Sequence, residues 1–251
     1  MAESVLNIVI PMAGRGSRFA TAGYELPKPL IEINGKPMIQ IVVENLRPAR
    51  DHRFIFLCLE DHLKEYDLKA KLSTIAPSSL VVEVDTVTEG AACTVLLARE
   101  FIANDQPLMI ANSDQFVDID IEDYLNAQTA ANADGLIMTM KADDPKWSFV
   151  GFDQTGRIDR VVEKEVISNE ATVGIYNYAR GNDFVTAADR MIAKNIRVNN
   201  EFYVAPVYNE MIAEGKKIVH YDIGSVGDGM YGLGTPADLD AFLKTPVAQR
   251  L

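Results

Sequence analysis

The chain has 251 residues, 48% of them hydrophobic, with a formal net charge of −12 and two cysteines. That length can bury a substantial core as one large α/β domain or two small ones, while the acidic balance argues against general binding of nucleic acid or an anionic membrane, which needs a cationic surface. Cys58 and Cys93 have no cysteine neighbour, so neither a disulfide framework nor a zinc site is indicated. No signal-peptide pattern is visible and no uncharged stretch is long enough to span a bilayer, so a soluble cytoplasmic protein with two buried, reduced cysteines is expected.

In chain order, residues 5–11 are an apolar run that reads as a buried strand. It enters a turn, Ala13-Gly14-Arg15-Gly16-Ser17-Arg18, followed by Pro27-Lys28-Pro29 and Gly35-Lys36-Pro37-Met38-Ile39. Glycines in such a turn let backbone N–H groups approach a phosphate, and Arg18 and Lys28 can add charge-assisted hydrogen bonds to it. Met38, Ile41, Val42 and Leu46 share one helical face, and Leu63, Tyr66, Leu68 and Leu72 suggest a second helix. Residues 91–101 read as a third helix, with Thr88 as its N-cap. Strands are expected at 54–59, 80–85 and 108–111, and alternating β and α elements imply a parallel sheet with right-handed crossovers.

Further on, strands are expected at 136–140, 149–152, 157–163, 173–178 and 217–223, with a turn at Asp153-Gln154-Thr155-Gly156. Helices are expected at 183–194 and 204–214, and Pro236 opens a terminal helix. With no repeat or long linker, residues 1–251 read as a single domain. Two halves, about 1–115 and about 116–251, are expected within it.

Asp114 ends the apolar strand that runs into Asn112-Ser113-Asp114, and ligands of open α/β sheets collect at the carboxyl ends of strands. No Ser/His/Asp or Cys/His arrangement is evident, and His52, His62 and His220 lack metal-ligand spacing. The G-x-G-x-R turn lacks the third glycine of a dinucleotide fingerprint, since Phe19 stands there.

Taken jointly, A-G-x-G-x-R, P-K-P and G-K-P-M-I resemble the opening of the sugar-1-phosphate nucleotidyltransferase family, and weaker matches follow along nearly the whole chain. The resemblance implies a Rossmann-like, GT-A-like α/β domain with a mixed, mainly parallel central sheet. It also implies Mg²⁺-dependent transfer of a nucleotidyl group from an NTP to a phosphorylated small molecule, with release of pyrophosphate. Arg18 and Lys28 would then be catalytic. Ala13, Gly14, Arg15, Gly16, Ser17, Thr88, Gly90, Ala91 and Ser113 would bind nucleotide, and Asp114 would hold the metal. Glu163 and Lys164 of a V-E-K segment, Tyr176 and Glu201 would hold the acceptor, so the half over about 1–115 is expected to bind nucleotide and the half over about 116–251 the acceptor. Trp147, the single tryptophan, reads either as an aromatic wall for the acceptor or as a core residue.

One departure stands out. The family carries a second metal carboxylate two residues before G-T-P, and Gly232 occupies that position here. If residues 224–228 turn a hairpin, Asp222 lies across from Gly232 and supplies the oxygen, with Asp228 as the alternate. The short chain and the L-G-T-P-x-D-L ending look closest to the small cytidylyltransferase branch. That branch implies CTP as donor, a phosphorylated amine or amino acid as acceptor, and a place in capsule or other surface polysaccharide synthesis. The alternatives are a uridylyl- or thymidylyltransferase, a glycosyltransferase that consumes sugar nucleotides, and a non-catalytic nucleotide-binding module. Assembly into a homo-oligomer is left open by the sequence.

Overall fold

In the computed structural model, which describes residues 4–251, the first apolar run is β1 (Leu6–Pro11). Ile8, Val9 and Ile10 have no exposed surface, as expected of a strand covered on both faces. The loop after it leads into α1 (Ser17–Thr21), then the small hairpin β2 (Glu32–Ile33) and β3 (Lys36–Pro37). Next come α2 (Met38–Leu46), β4 (His52–Leu59), α3 (Glu60–Glu65), α4 (Leu68–Ile75) and β5 (Leu80–Val84). The first half closes with α5 (Ala91–Leu96), α6 (Arg99–Ile102) and β6 (Leu108–Ala111).

The second half runs β7 (Gln115–Val117), α7 (Ile121–Ala131), β8 (Gly135–Lys141), β9 (Ser148–Phe152), β10 (Ile158–Glu163) and β11 (Glu170–Tyr178). It ends with α8 (Gly181–Ala193), α9 (Tyr208–Ala213), β12 (Ile218–Val226), β13 (Gly229–Gly232) and α10 (Pro236–Leu243). The central sheet has the order β5-β4-β1-β6-β11-β8-β12-β13-β7, with β9 and β10 branching from β11. Strands β5, β4, β1 and β6 are mutually parallel, and β11 reverses the direction against β6 and β8. The result is the single α/β domain with a mixed, mainly parallel sheet that the resemblance implies.

Two apolar layers sandwich the sheet. On one face α2, α4 and α7 bring Ile39, Val42, Leu68, Leu72 and Tyr124 against Ile8, Ile10 and Phe56. On the other, Val95, Phe184, Ala188 and Met211 cover Val9, Ile55 and Ile110. A third, smaller core joins Phe19, Ile31, Ile33 and Met38 to Phe116, Tyr231, Leu233, Leu239 and Phe242. It clamps the loop carrying Arg18 and Lys28 to the β7–β13 seam. Each large side chain buried there contributes about 1.5–3 kcal/mol.

Several sequence expectations change. The helix expected over 63–72 is two helices, broken where Asp67 takes a left-handed φ of 48°. The one expected over 91–101 is likewise α5 and α6. Gly90, not Thr88, is the N-cap of α5, and the Thr88 hydroxyl bonds Gly90 O at 2.9 Å and the Thr94 hydroxyl at 2.6 Å. Helix α7 was not anticipated; Asp120 caps it by accepting the Glu122 N–H. Cys58 is buried, which pushes its thiol up to about 12, whereas Cys93 is only half-buried. No helix among the described residues is long and apolar enough to cross a membrane.

Candidate active site

The carboxyl ends of β1 and β6 sit side by side, since the two strands pair in parallel register, and the turn after β1, Lys28 and Asp114 gather there. Among the described residues, the N–H groups of Ala13, Gly14 and Arg15 donate to no backbone carbonyl, so the loop holds unspent donors for an anion. Gly16 adopts φ 61°, and a Cβ on it would lie 3.2 Å from the Lys28 Cβ, so the loop folds tightly onto the lysine. Lys28 Nζ donates to Asp114 Oδ2 at 2.8 Å, with the two side chains 21% and 23% exposed. Ala13 and Ser113 are buried, whereas Gly14, Arg15, Ser17 and Arg18 are exposed.

Asp114 is fixed by the seam. Gln115 opens β7 and stands opposite Gly232 of β13, and Leu233 N–H donates to Asp114 O at 2.8 Å. The adjoining cleft, about 430 Å³, is lined by Arg18, Asn112, Asp114, Gln115, Gly234 and Asp238, among others. A second chamber of about 200 Å³ shares Asn112, Gln115, Lys146 and Trp147 with it and extends to Ala91, Glu163, Tyr176 and Tyr203. One wall is a close approach: Gly174 has φ 86°, and a Cβ there would lie 2.3 Å from Asn112 Nδ2 and 2.7 Å from Gln115 Oε1.

The acceptor candidates divide. Glu163 is buried in the second chamber, where desolvation holds its carboxyl above the usual range, opposed by a hydrogen bond from Ser148 Oγ. The Tyr176 hydroxyl is buried and bonds the Thr172 hydroxyl at 3.0 Å, and burial raises its pKa. Trp147 is half-buried, with Lys146 Nζ 5.0 Å from its ring centre. Lys164 turns outward over the ring of Tyr203 at 4.6 Å, and Glu201 is exposed beside Tyr203, so neither lines the chamber. Ala91 lines this chamber rather than the cleft with Asp114.

Two expectations fail on geometry. Gly90 does permit a close approach, but to protein: with φ 125°, its Cβ would lie 2.5 Å from Phe202 O and 2.6 Å from Phe202 N. The hairpin over 222–232 does not form, because β12 and β13 pair locally in parallel register. Asp222 instead stands opposite Thr139 of β8, its carboxylate held by Lys141 at 3.1 Å and by the Gly224 N–H at 2.9 Å. Asp228 is exposed, and neither aspartate lines the cleft. Asn112, Gln115, Lys146 and Asp238, which do, lie next to or within quoted motifs but were not singled out.

Among the described residues no three His, Cys, Asp or Glu side chains converge on a point. Asp114 stands against the side-chain-free Gly234, where a Cβ would lie 2.7 Å from its Oδ2, and already carries a cation in Lys28. That donor set fits a hard divalent ion that takes one or two carboxylates and completes its shell with phosphate oxygens and water.

Fold and cleft together define an α/β domain with a charged cleft at the carboxyl ends of its parallel strands. The Nucleotidyl transferase family model matches residues 8–224, and the chain belongs to that family. A mannose-1-phosphate guanyltransferase of Yarrowia lipolytica is 30% identical over 67% of this chain and 48% of its own length. A probable mannose-1-phosphate guanylyltransferase 2 of Arabidopsis thaliana is 28% identical over 68% and 50%. The chain thus spans about half the length of these curated relatives. Among solved structures, a nucleoside-diphosphate-sugar pyrophosphorylase from Vibrio cholerae RC9 superposes with TM-score 0.79 at 26% identity, covering 95% of this chain and all of that one. A putative glucose-1-phosphate thymidylyltransferase from Bacillus anthracis shares the fold at TM-score 0.77 and 20% identity, covering 98% and 96%.

Proposed function

We propose that this chain joins a nucleoside triphosphate to a sugar 1-phosphate and releases pyrophosphate. The observation that carries it is the pair of chambers meeting at Asn112, Gln115, Lys146 and Trp147, with the Lys28–Asp114 pair on the nucleotide side. Guanosine or thymidine donors are favoured over CTP, because the proteins named above include guanylyltransferases and a thymidylyltransferase. The cytidylyl branch and its capsule setting gain no support from these names. An ammonium-bearing acceptor gains none from the site either, since Lys146 already lies over the Trp147 ring.

In the proposed reaction an acceptor phosphate oxygen bonds to the α-phosphorus, the α–β bridging P–O bond breaks, and its electron pair leaves on pyrophosphate. A sugar phosphate has its second pKa near about 6, so the nucleophile is already an oxyanion at neutral pH and no general base is needed. The free N–H groups after β1 and Arg18 hold the β- and γ-phosphates. Lys28 moves from Asp114 to the α-phosphate and offsets the charge that develops there. Glu163 accepts from sugar hydroxyls, and Trp147 walls the chamber. Asp114 would hold Mg²⁺, which when bound supplies charge neutralisation on the phosphate oxygens. Positioning and charge carry the catalysis.

The test is pyrophosphate release across GTP, UTP, dTTP and CTP with mannose 1-phosphate, glucose 1-phosphate, phosphocholine and phosphoglutamine. Turnover with a hexose 1-phosphate and a donor other than CTP is expected. Turnover confined to CTP and a phosphorylated amine would reverse the substrate assignment.

A further inference from the structure

We infer that Asp238, in the first turn of α10, supplies a second carboxylate to the metal held by Asp114, an inference that rests on the transferase function proposed above. Gly232 ends β13 without a side chain, yet its φ lies outside the left-handed region, so its backbone does not demand glycine. What the missing side chain leaves is space, and Asp238 faces it. A Cβ on Gly232 would lie 3.6 Å from both Cβ and Cγ of Asp238 and 3.8 Å from its Oδ2. Two residues on, a Cβ on Gly234 would lie 2.7 Å from Asp114 Oδ2. The glycine pair thus strips the cleft floor, and carboxylates from the end of β6 and the start of α10 both line one cavity of about 430 Å³.

Asp238 is held in place for such a role. The Thr235 hydroxyl donates to Asp238 Oδ2 at 2.6 Å and accepts the Asp238 N–H at 3.1 Å, while Oδ1 has no partner among the described residues. Helix capping explains the Thr235 contacts but not the cleared space beside Gly232. Among the described residues no cation pairs with Asp238, in contrast to Asp222, which Lys141 already neutralises. Where this cleft meets the second chamber, Gln115 Oε1 is buried against Gly174 without a hydrogen-bond partner, which is costly for an acceptor.

Manganese is the probe, with free Mn²⁺ counted by electron paramagnetic resonance during titration of the intact chain. Asp238→Asn should raise the Kd for Mn²⁺ by about tenfold, the low end for disturbing a metal's surroundings, and Asp114→Asn should raise it at least as much. Asp222→Asn should leave it within about twofold, as expected of a carboxylate outside the coordination shell. Circular dichroism checks that Asp238→Asn keeps its helix, which asparagine tolerates in a first turn. Adding Gly232→Asp to Asp238→Asn should recover most of the affinity, because the restored carboxylate enters the same space. If Asp238→Asn binds like the wild type while Asp114→Asn does not, the inference falls and the proposed function stands. If Asp114→Asn also binds like the wild type, both fall.

Discussion

Lys28 Nζ lies 2.8 Å from Asp114 Oδ2, so the loop after β1 and the end of β6 are tied by one ion pair beside the cleft that Asp114 lines. Both side chains are about four-fifths covered, which gives the pair more weight than a free surface bridge, though water still reaches it. Under the proposed function, a phosphate at Lys28 and a cation at Asp114 would each compete with the partner that side chain has in this structure.

Lys28→Ala should accordingly have opposite effects on two measurements. Without the charge that stabilises the α-phosphate, kcat/KM should fall by about two orders of magnitude, roughly 3 kcal/mol. Binding of Mn²⁺ to the free protein should instead tighten, because Asp114 loses its competitor. Steady-state kinetics and metal titration on one preparation read both, and a loss of metal affinity would show that Lys28 builds the site rather than fills it.

Arg18→Ala should lower kcat/KM by a similar amount, about two orders of magnitude, with no loss of thermal stability. Arg18 is exposed at the start of α1 and makes no ion pair among the described residues. A folded Arg18→Ala protein with near-normal turnover would remove the residue from the triphosphate site.

Gly90→Ala should be a stability defect first. Its Cβ would meet the Phe202 backbone at 2.5 Å, at a φ of 125° that L-residues avoid. A strained backbone position costs of order 1–3 kcal/mol, and the Ala92–Phe202 and Phe202–Glu89 hydrogen bonds would shift with it. Thermal denaturation should show a fall of several degrees before any change in the KM for nucleotide is seen. An unchanged melting temperature with a raised KM would return Gly90 to the role of a nucleotide-binding residue.

Glu163 links pH to stability. Burial raises its pKa in the folded state above the ordinary value of 4.5. Its neutral form is therefore favoured by folding, and the stability it contributes is present below about pH 4.5 and lost as pH rises through the folded value. Glu163→Gln should raise the melting temperature at pH 8, with the gain vanishing near pH 4, and should raise the KM for the sugar phosphate. A gain that is constant with pH would mean that glutamine packs better for some other reason.

Much of this was legible locally. The β1 run, the Gly16 turn, Lys28 and the strand-end Asp114 each carry their signal within a few residues, and the structure brings them together. The Asp120 cap and the face of Ile121, Tyr124 and Leu125 also announce α7, although none of the helices expected from the sequence covers them. What could not be read was pairing between distant segments. Asp222 and Asp238 are both plausible ligands by position in the chain. Only the pairing of β12 with β8, which hands Asp222 to Lys141, and the space beside Gly232 separate them. Gly90 likewise looked like a ligand glycine because Phe202, its actual neighbour, is far away in sequence.

In the proposed function the nucleotidyl group, α-phosphorus included, moves to a sugar phosphate. Incubation with a nucleoside triphosphate labelled separately at the α- and γ-phosphorus, plus a hexose 1-phosphate, tests it most directly. The α label should appear in a nucleoside diphosphate sugar and the γ label in pyrophosphate, in equal amounts and only when the acceptor is present. Transfer of the γ label to the sugar, or consumption of a sugar nucleotide with release of nucleoside diphosphate and no pyrophosphate, would contradict it.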